Sequence, residues 1–266
     1  MPEADCRPVT NIVYNTITYE HPVNEKIRNL LRLEHLFKQV HHFLHGESPW
    51  DSRTTIATFM EILDVFGRAD LKTELMKEME RATVNLKPHL EHPEVDDARL
   101  GNILRALERL RANLNGYPGP LGQELRDSEF LSSIRQRTAI AGGTCDFDLP
   151  GYHRWLEQPA EARHRDLERW SANLDAVRQP VELLLKLIRN SADFRPETGE
   201  RGVYGQSLSA NLPYQLIRIR VPAEQPFFPE VSGGKHRFTV RFMQPGERRS
   251  VQVYEDIDFQ LSCCRL

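Results

Sequence analysis

The residues best suited to chemistry fall in one short stretch of the chain. Cys145, Asp146, Asp148 and His153 place a thiol, two carboxylates and an imidazole within nine residues. Such a set could bind a metal ion and activate water, so a metal-dependent hydrolase using Asp146, Asp148 and His153 is one hypothesis. The flanking glycines and proline favour a second interpretation, a turn leading into a helix that starts near Tyr152, with Asp148 as its capping residue.

Two further groups of candidate ligands are less complete. His41 and His45 are one helical turn apart, but His42 occupies the position where a zinc-binding His-Glu-x-x-His motif needs its glutamate. The pair therefore fits a solvated helix face. Cys263 and Cys264 could hold a metal or form a strained disulfide, yet two ordinary reduced cysteines are favoured. With no phosphate-binding loop, nucleophile elbow or dinucleotide fingerprint, we expect no catalytic residue, no metal and no cofactor.

Positive charge is concentrated near the end of the chain. Between Pro213 and Arg249, seven cations face three glutamates, so this segment carries +4 (seven minus three) in a chain of net charge -3. The overall charge argues against a dedicated nucleic-acid binder, although a nucleic-acid-binding module using the same arginines remains an alternative. The seven cations are Arg218, Arg220, Lys235, Arg237, Arg241, Arg248 and Arg249.

Strand alternation would give two of these cations a common direction. Apolar residues occupy every second position from 238 to 242, and Arg237, Thr239 and Arg241 occupy the positions between them. Because side chains alternate across a strand, both guanidinium groups should project from one face. Guanidinium forks match carboxylates, so an acidic peptide is a natural ligand. A merely solubilising sheet face is the alternative.

The elements that would position these residues follow from hydrophobic periodicity. Apolar residues recur at three- and four-residue steps from Pro22 to Ala192 and predict an antiparallel helical bundle. In that bundle Arg32 lies on a polar face of the first helix, Asp51-Ser52 caps the second helix, and Pro180 starts a fresh helix.

Strands are predicted on both sides of the bundle. Residues 1–20 are rich in β-branched and aromatic types, and a glycine-rich, linker-like stretch follows Pro196. Three alternating segments after it, around Ile219, Val240 and Phe259, predict a half-buried antiparallel sheet. The predicted fold is α+β: an antiparallel helical bundle domain (21–193) plus a separate, mostly antiparallel β-domain (1–20 and 196–266), in which the N-terminal strand joins the C-terminal strands.

Composition indicates an ordinary globular chain. Hydrophobic residues make up 39%, charged residues 27%, and the mean hydropathy is -0.53. No apolar run approaches the ~20 residues that span a bilayer, and the N-terminus lacks the basic and apolar regions of a secretory signal. We therefore expect a cytoplasmic protein with no membrane partner.

Blocks of sequence spread along the chain resemble the ZapD family of cell division proteins. The similarity runs from about Tyr19 to Cys264, and its most distinctive block reads GGTCDFDLP at 142–150. Several such blocks in order are far more specific than any short motif. They lie at 19–26, 31–34, 63–66, 73–75, 134–137, 142–150, 155–156, 187–189, 191–192, 237–238, 241–243, 258–259 and 263–264.

This resemblance implies a function in cell division. It implies a non-enzymatic homodimer that binds the C-terminal tail of FtsZ, the bacterial tubulin homologue, and bundles FtsZ filaments in the Z ring at the mid-cell septum. A basic position of some relatives falls on Glu129 here, which puts the contribution of that position in doubt. The implied tail-binding residues are Arg32, Arg68, His153, Arg237 and Arg241, and Lys235 is added on charge alone.

Overall fold

The chain folds into two compact units. A computed structural model describes residues 15–68, 70–91, 96–234 and 236–266, and of Arg68 and Glu91 the backbone alone. A helical unit extends from Glu25 to Asn190, and a β unit combines residues 15–24 with Ser191–Arg265. Helices and antiparallel sheets are thus segregated along the chain, which confirms the predicted α+β class.

The helical unit contains nine α-helices among the described residues. A 3₁₀ helix, Lys87–Glu91, follows the third of them. The α-helices are α1 (Glu25–Phe43), α2 (Pro49–Arg68), α3 (Leu71–Leu86), α4 (Asp97–Gly116), α5 (Gln123–Asp127), α6 (Glu129–Thr138), α7 (Pro150–Leu156), α8 (Ala160–Ala172) and α9 (Asp175–Arg189).

Apolar stripes at helical spacing form the core of this unit. Helix α1 buries Ile27, Leu30, Leu33, Phe37 and Val40, as its periodicity predicts. No helix in the part of the chain that the structure describes is long and apolar enough to cross a membrane.

Helix α2 starts at Pro49, two residues before the first predicted capping residue, Asp51. The Ser48 side chain accepts a hydrogen bond from the Asp51 amide at 3.2 Å, and Asp51 accepts one from the Ser48 amide at 3.1 Å. This reciprocal pair is a capping box, with Pro49 at the first helical position. The prediction that Asp51-Ser52 caps the helix is therefore wrong, because Asp51 acts from inside the first turn.

Two other predicted helix boundaries also differ. Helix α7 begins at Pro150 with Leu149 as its N-cap and no capping side chain, whereas Asp148 accepts a hydrogen bond from the Cys145 thiol at 3.3 Å. Pro180 lies inside α9 and does not begin it. It sits in the second turn, where its missing amide costs the helix one hydrogen bond, and the residue is buried.

A buried arginine connects the short helices to the start of α2. Arg163 of α8 is buried and donates to the carbonyl oxygens of Glu47, Leu156 and Gln158 and to the hydroxyl of Ser52. Burying a guanidinium group is costly unless its hydrogen bonds are made. Because four acceptors satisfy it here, Arg163 fixes the α7–α8 connection against the α1–α2 loop.

The β unit consists of two antiparallel sheets. Sheet A has the order β1-β4-β8-β2, and sheet B has the order β3-β6-β5 with β7 also paired to β6. Strand β1 lies before the helical unit in the chain and pairs with β4 after it. The strands are β1 (Thr16–Pro22), β2 (Arg195–Gly199), β3 (Val203–Ser207), β4 (Tyr214–Pro222), β5 (Phe228–Gly233), β6 (Arg237–Gln244), β7 (Val251–Gln252) and β8 (Ile257–Arg265).

Both sheets contribute to one apolar core. Ile219 of β4, Val240 of β6 and Leu261 of β8 are fully buried in it, which confirms the three alternating strands. The glycine-rich stretch interpreted as linker-like instead forms β2 and β3. Its backbone groups pair with β8 and β6, so tertiary pairing overrides the weak local strand preference of this segment.

Candidate functional site

Strand β6 presents two arginines on the outer face of sheet B. Phe238, Val240 and Phe242 are buried, whereas Arg237 and Arg241 are exposed and Thr239 is half-buried between them. This confirms the predicted alternation. The two guanidinium groups share one face because their positions in the strand differ by four residues.

The neighbouring strands leave room around these two arginines. Gly205 of β3 lies opposite Thr239, and Nη2 of Arg237 is 3.7 Å from the point where a Cβ on Gly205 would stand. Glu230 of β5 is the cross-strand neighbour of Arg241, yet no carboxylate of the described residues forms an ion pair with Arg237 or Arg241. Both guanidinium forks are therefore available to an external acceptor.

Two other arginines of the β unit, Arg218 and Arg220, contact side chains within the fold. Arg218 donates to Glu20 of β1 at 3.0 Å, and its guanidinium carbon lies 5.0 Å from the centre of the Phe194 ring. Arg220 stacks on the same ring at 3.8 Å. Ion pairing and cation–π contacts hold these two side chains on sheet A. The local excess of positive charge is therefore free mainly on sheet B.

In the helical unit, Arg32 is an exposed residue of α1. Its Nη1 lies 3.7 Å from a carboxylate oxygen of Glu25, which is two turns earlier and also exposed. Such an exposed pair contributes at most about 1 kcal/mol, so a stronger carboxylate partner could replace Glu25.

His153 of α7 belongs to a small charge network with two other side chains. Its Nδ1 is 3.2 Å from Oδ1 of Asp146, and Nη2 of Arg53 is 3.4 Å from that same oxygen. Arg53 is a residue of this network that the sequence analysis did not single out. The one sequence signal for Arg53 is its position three residues after Trp50 on α2. At that spacing the two side chains can form a cation–π pair.

The residues of the alternative metal site are used differently by the fold. Asp146 pairs with Arg53 and His153, and Asp148 accepts from Cys145. Among residues 15–68, 70–91, 96–234 and 236–266, no group of three or more His, Cys, Asp or Glu side chains could hold a metal ion.

The remaining predicted positions are Lys235, Arg68 and Glu129. Lys235 lies outside the described residues, and Arg68 ends α2 with a side chain that the structure does not describe. Glu129 is the first residue of α6, directly after the N-cap Ser128. A carboxylate at a helix N-terminus interacts favourably with the helix dipole, so the helix start itself favours an acidic residue here over a basic one.

Comparison with known proteins places the chain in a family. The family model described as ZapD, cell division protein, matches residues 31–241. The chain belongs to the ZapD family. A curated relative, "Cell division protein ZapD" of Methylococcus capsulatus, is 42% identical over 253 residues, which covers 95% of this chain and 99% of the relative. Membership in the ZapD family assigns this chain a role in cell division.

Proposed function

We propose that this protein is a non-enzymatic cross-linker that binds the acidic C-terminal tail of FtsZ and bundles FtsZ filaments. It acts as a cytoplasmic homodimer at the division septum, with one tail site in each protomer. The observation that carries the proposal is the pair Arg237 and Arg241, two exposed guanidinium groups on one sheet face without an ion pair among the described residues. Arg32 and His153 of the helical unit are further contacts, a guanidinium group and an imidazole.

The chemistry of sheet B suits an acidic peptide. Arginine forks bind carboxylates in a bidentate manner, and neither fork must first break an internal ion pair. Half-buried apolar side chains flank them on the same face: Val203 is the cross-strand partner of Arg241, and Phe228 is that of Met243. A tail segment lying on this face would therefore meet charge and apolar surface together.

Charge alone does not account for stable binding. Exposed ion pairs contribute about 0.2–1 kcal/mol each, so four pairs give at most about 4 kcal/mol. Micromolar affinity corresponds to about 8 kcal/mol. The difference must come from apolar contacts of the tail and from the avidity of two sites in a dimer.

Co-sedimentation with FtsZ filaments tests the proposal. We expect the wild-type protein to pellet with intact FtsZ filaments and to stay in the supernatant with filaments that lack the tail. Arg237→Glu and Arg241→Glu should each weaken binding about tenfold or more, because each removes a cation and adds an anion facing the tail. Raising the salt concentration should weaken wild-type binding, since exposed charges are screened.

Arg248→Glu is the matched control for these substitutions. Arg248 is exposed in the same unit but lies in the β6–β7 loop, outside the strand face, so its charge reversal should leave binding within about twofold. Equal pelleting with intact and tail-less filaments would refute the proposal. A gel shift of unspecific DNA at physiological salt that is lost in the Arg237→Glu variant would favour the nucleic-acid alternative.

A further inference from the structure

A cleft in the helical unit has the properties of a binding pocket for an apolar side chain. It encloses about 500 Å³ between the start of α2, the end of α6 and the loop at 139–149, and Trp50, Arg53, Ile140 and Tyr152 are among its lining residues. Binding pockets for small groups are concave and largely apolar, with a few fixed polar groups.

The apolar rim of this cleft is exposed. Trp50 is 74% exposed and Ile140 is 51% exposed, and Phe147 in the same loop is 84% exposed. Scattered apolar residues are ordinary on a protein surface, but a tryptophan and its large apolar neighbours around one cleft mark an interaction site. Tryptophan is also the residue most enriched among those that dominate binding energy.

The walls of the cleft are held in place before any partner arrives. The guanidinium carbon of Arg53 lies 5.4 Å from the centre of the Trp50 ring and 5.0 Å from that of Tyr152. Arg53 also donates to the carbonyl oxygen of Thr144 at 2.9 Å, which ties the loop to α2. A Cβ on Gly143 would stand 2.6 Å from the carbonyl oxygen of Arg137, so this loop closes tightly only with glycine there.

Two arginines lie in or next to the cleft, Arg53 in its lining and Arg137 on the adjoining part of α6. Ile134 and Thr138 of α6 line the cleft, and Arg137 is exposed three residues after Ile134, on the adjoining part of that helix. Arg137 forms no ion pair with any other residue that the structure describes. Arg53 and His153 share one oxygen of Asp146 at the edge of the cleft, so a guanidinium group and an imidazole face a single carboxylate.

We infer that this cleft takes a large apolar side chain of the acidic FtsZ tail, with nearby tail carboxylates paired to Arg137 and His153. The inference rests on the proposed function and extends it to a second contact of the same peptide, in the helical unit. Exposed tryptophan supplies the apolar contact, and the arginine next to the cleft, Arg137, favours an acidic peptide over a neutral one. Charge pairing on sheet B contributes too little binding free energy by itself. Apolar contacts in the cleft would add to it.

Tryptophan fluorescence of the full-length protein tests the inference directly. The chain has three tryptophans, of which Trp155 and Trp170 are buried and Trp50 is exposed. A synthetic FtsZ tail peptide without tryptophan should therefore shift the emission to shorter wavelength and protect it from acrylamide. Both changes should vanish in Trp50→Phe, which keeps an aromatic ring in the cleft.

Affinity measurements on matched variants provide the second readout. Trp50→Ala and Ile140→Ser should weaken binding of the labelled peptide about tenfold, the size of a hot-spot truncation. Val84→Ser is the control, since Val84 is 62% exposed on α3 and does not line the cleft. A peptide with its large apolar residues changed to alanine should bind the wild type as weakly as the native peptide binds Trp50→Ala.

The possible outcomes separate this inference from the proposed function. If the wild type does not bind the tail peptide at all, the proposed function fails and the inference fails with it. If the wild type binds and Arg237→Glu weakens binding, while Trp50→Ala and Ile140→Ser bind normally, the inference alone is wrong. A third outcome is that acrylamide fails to quench Trp50 in the protein without peptide and quenches it after dilution. This would assign the cleft to a contact between copies of this chain, and would also overturn the inference.

Discussion

An arginine on a protein surface is most readily available to a partner when the fold leaves its guanidinium group unpaired. Arg218 and Arg220 lie on sheet A and are held by Glu20 and by the ring of Phe194. Arg237 and Arg241 lie on sheet B and have no ion pair with a described residue. The same residue type therefore stabilises one sheet and remains free for binding on the other.

Glu34 illustrates the opposite case, a carboxylate fully used by the fold. It lies on α1, accepts from Arg189 of α9 at 2.7 Å and is 3.1 Å from the ammonium group of Lys38. Burial acts to raise the pKa of Glu34, but the hydrogen bonds from Arg189 and Lys38 outweigh it and lower the pKa below the ordinary value of 4.5. The charged form is thus favoured in the folded state.

We predict a pH-dependent loss of stability for Glu34→Gln. A lowered folded pKa stabilises the fold above the unfolded pKa, and this contribution disappears as the pH falls through the folded pKa. At pH 7 the variant should lose about 1–3 kcal/mol of unfolding free energy, because Arg189 loses a charged acceptor. Urea denaturation at pH 7 and at steps below pH 4.5 should show the deficit shrinking as the pH falls.

The control for this prediction is Glu182→Gln. Glu182 pairs with Arg178 on α9 at 3.1 Å, but both side chains are well exposed, so the loss should stay below about 1 kcal/mol. A deficit of Glu34→Gln that is the same at every pH would mean that packing, and not charge, is responsible.

At the scale of elements, the start of α2 positions the side chains of the proposed cleft. The capping box of Ser48 and Asp51 fixes the first turn, which carries Trp50, and Arg53 follows one turn later. Ser48→Ala should lower the unfolding free energy by about 1 kcal/mol, because an amide of the first turn loses its acceptor. Ser48→Thr should retain most of the stability, since threonine also caps. Thermal or urea denaturation measures both.

A local effect distinguishes this prediction from general destabilisation. Ser48→Ala should make Trp50 more accessible to acrylamide below the unfolding transition, because the first turn frays when its cap is lost. Ser209→Ala, at an exposed serine of the β unit, should change neither stability nor quenching. Unchanged stability in Ser48→Ala would show that the helix start does not depend on this capping box.

Elements with strong periodicity could be predicted from the sequence, and elements defined by pairing could not. The stripe of α1 and the alternation of β6 specify their own buried faces. Strands β2 and β3 carry glycine and proline and become strands through hydrogen bonds to β8 and β6. The capping box of α2 was readable from Ser48 and Asp51, but the adjacent Asp51-Ser52 pair offered a competing signal.

The same limit applies to the candidate site. Strand alternation predicted that Arg237 and Arg241 share a face, because that relation is local. By contrast, the ion pair of Arg218 is formed with Glu20, which is 198 residues away in the chain. The cleft depends on the meeting of α2, α6 and the loop at 139–149, and no local pattern indicates that Trp50 lies beside Ile140.

At the scale of the whole molecule, the β unit is discontinuous in sequence. Strand β1 precedes the helical unit, yet it pairs with β4 along seven residues. Removal of the chain before Glu25 would therefore leave β4 at an open edge of sheet A, with unpaired backbone groups. In the sequence, the helical unit lies between two parts of the β unit. A fragment that starts at Glu25 therefore lacks β1, which is a strand of sheet A.

The proposed bundling of filaments requires an assembly with two tail sites, because a cross-linker must hold two filaments. In the proposed homodimer each protomer supplies one, related by two-fold symmetry. Coexpression of wild-type chain with the Arg237→Glu/Arg241→Glu double variant should yield mixed dimers that bind one tail but do not bridge filaments. At equal amounts, about a quarter of the dimers would keep two working sites while about half of all sites remain.

We therefore predict that bundling falls faster than binding in these mixtures. Right-angle light scattering of FtsZ filaments should fall towards a quarter of the wild-type value, while the amount of protein that pellets should fall only towards about three quarters, because the half of the dimers with one working site still bind a tail. The control mixture with Arg248→Glu should leave both signals unchanged. Scattering that falls only in proportion to pelleting would contradict the symmetric dimer and would place both tail contacts needed for bridging within a single chain.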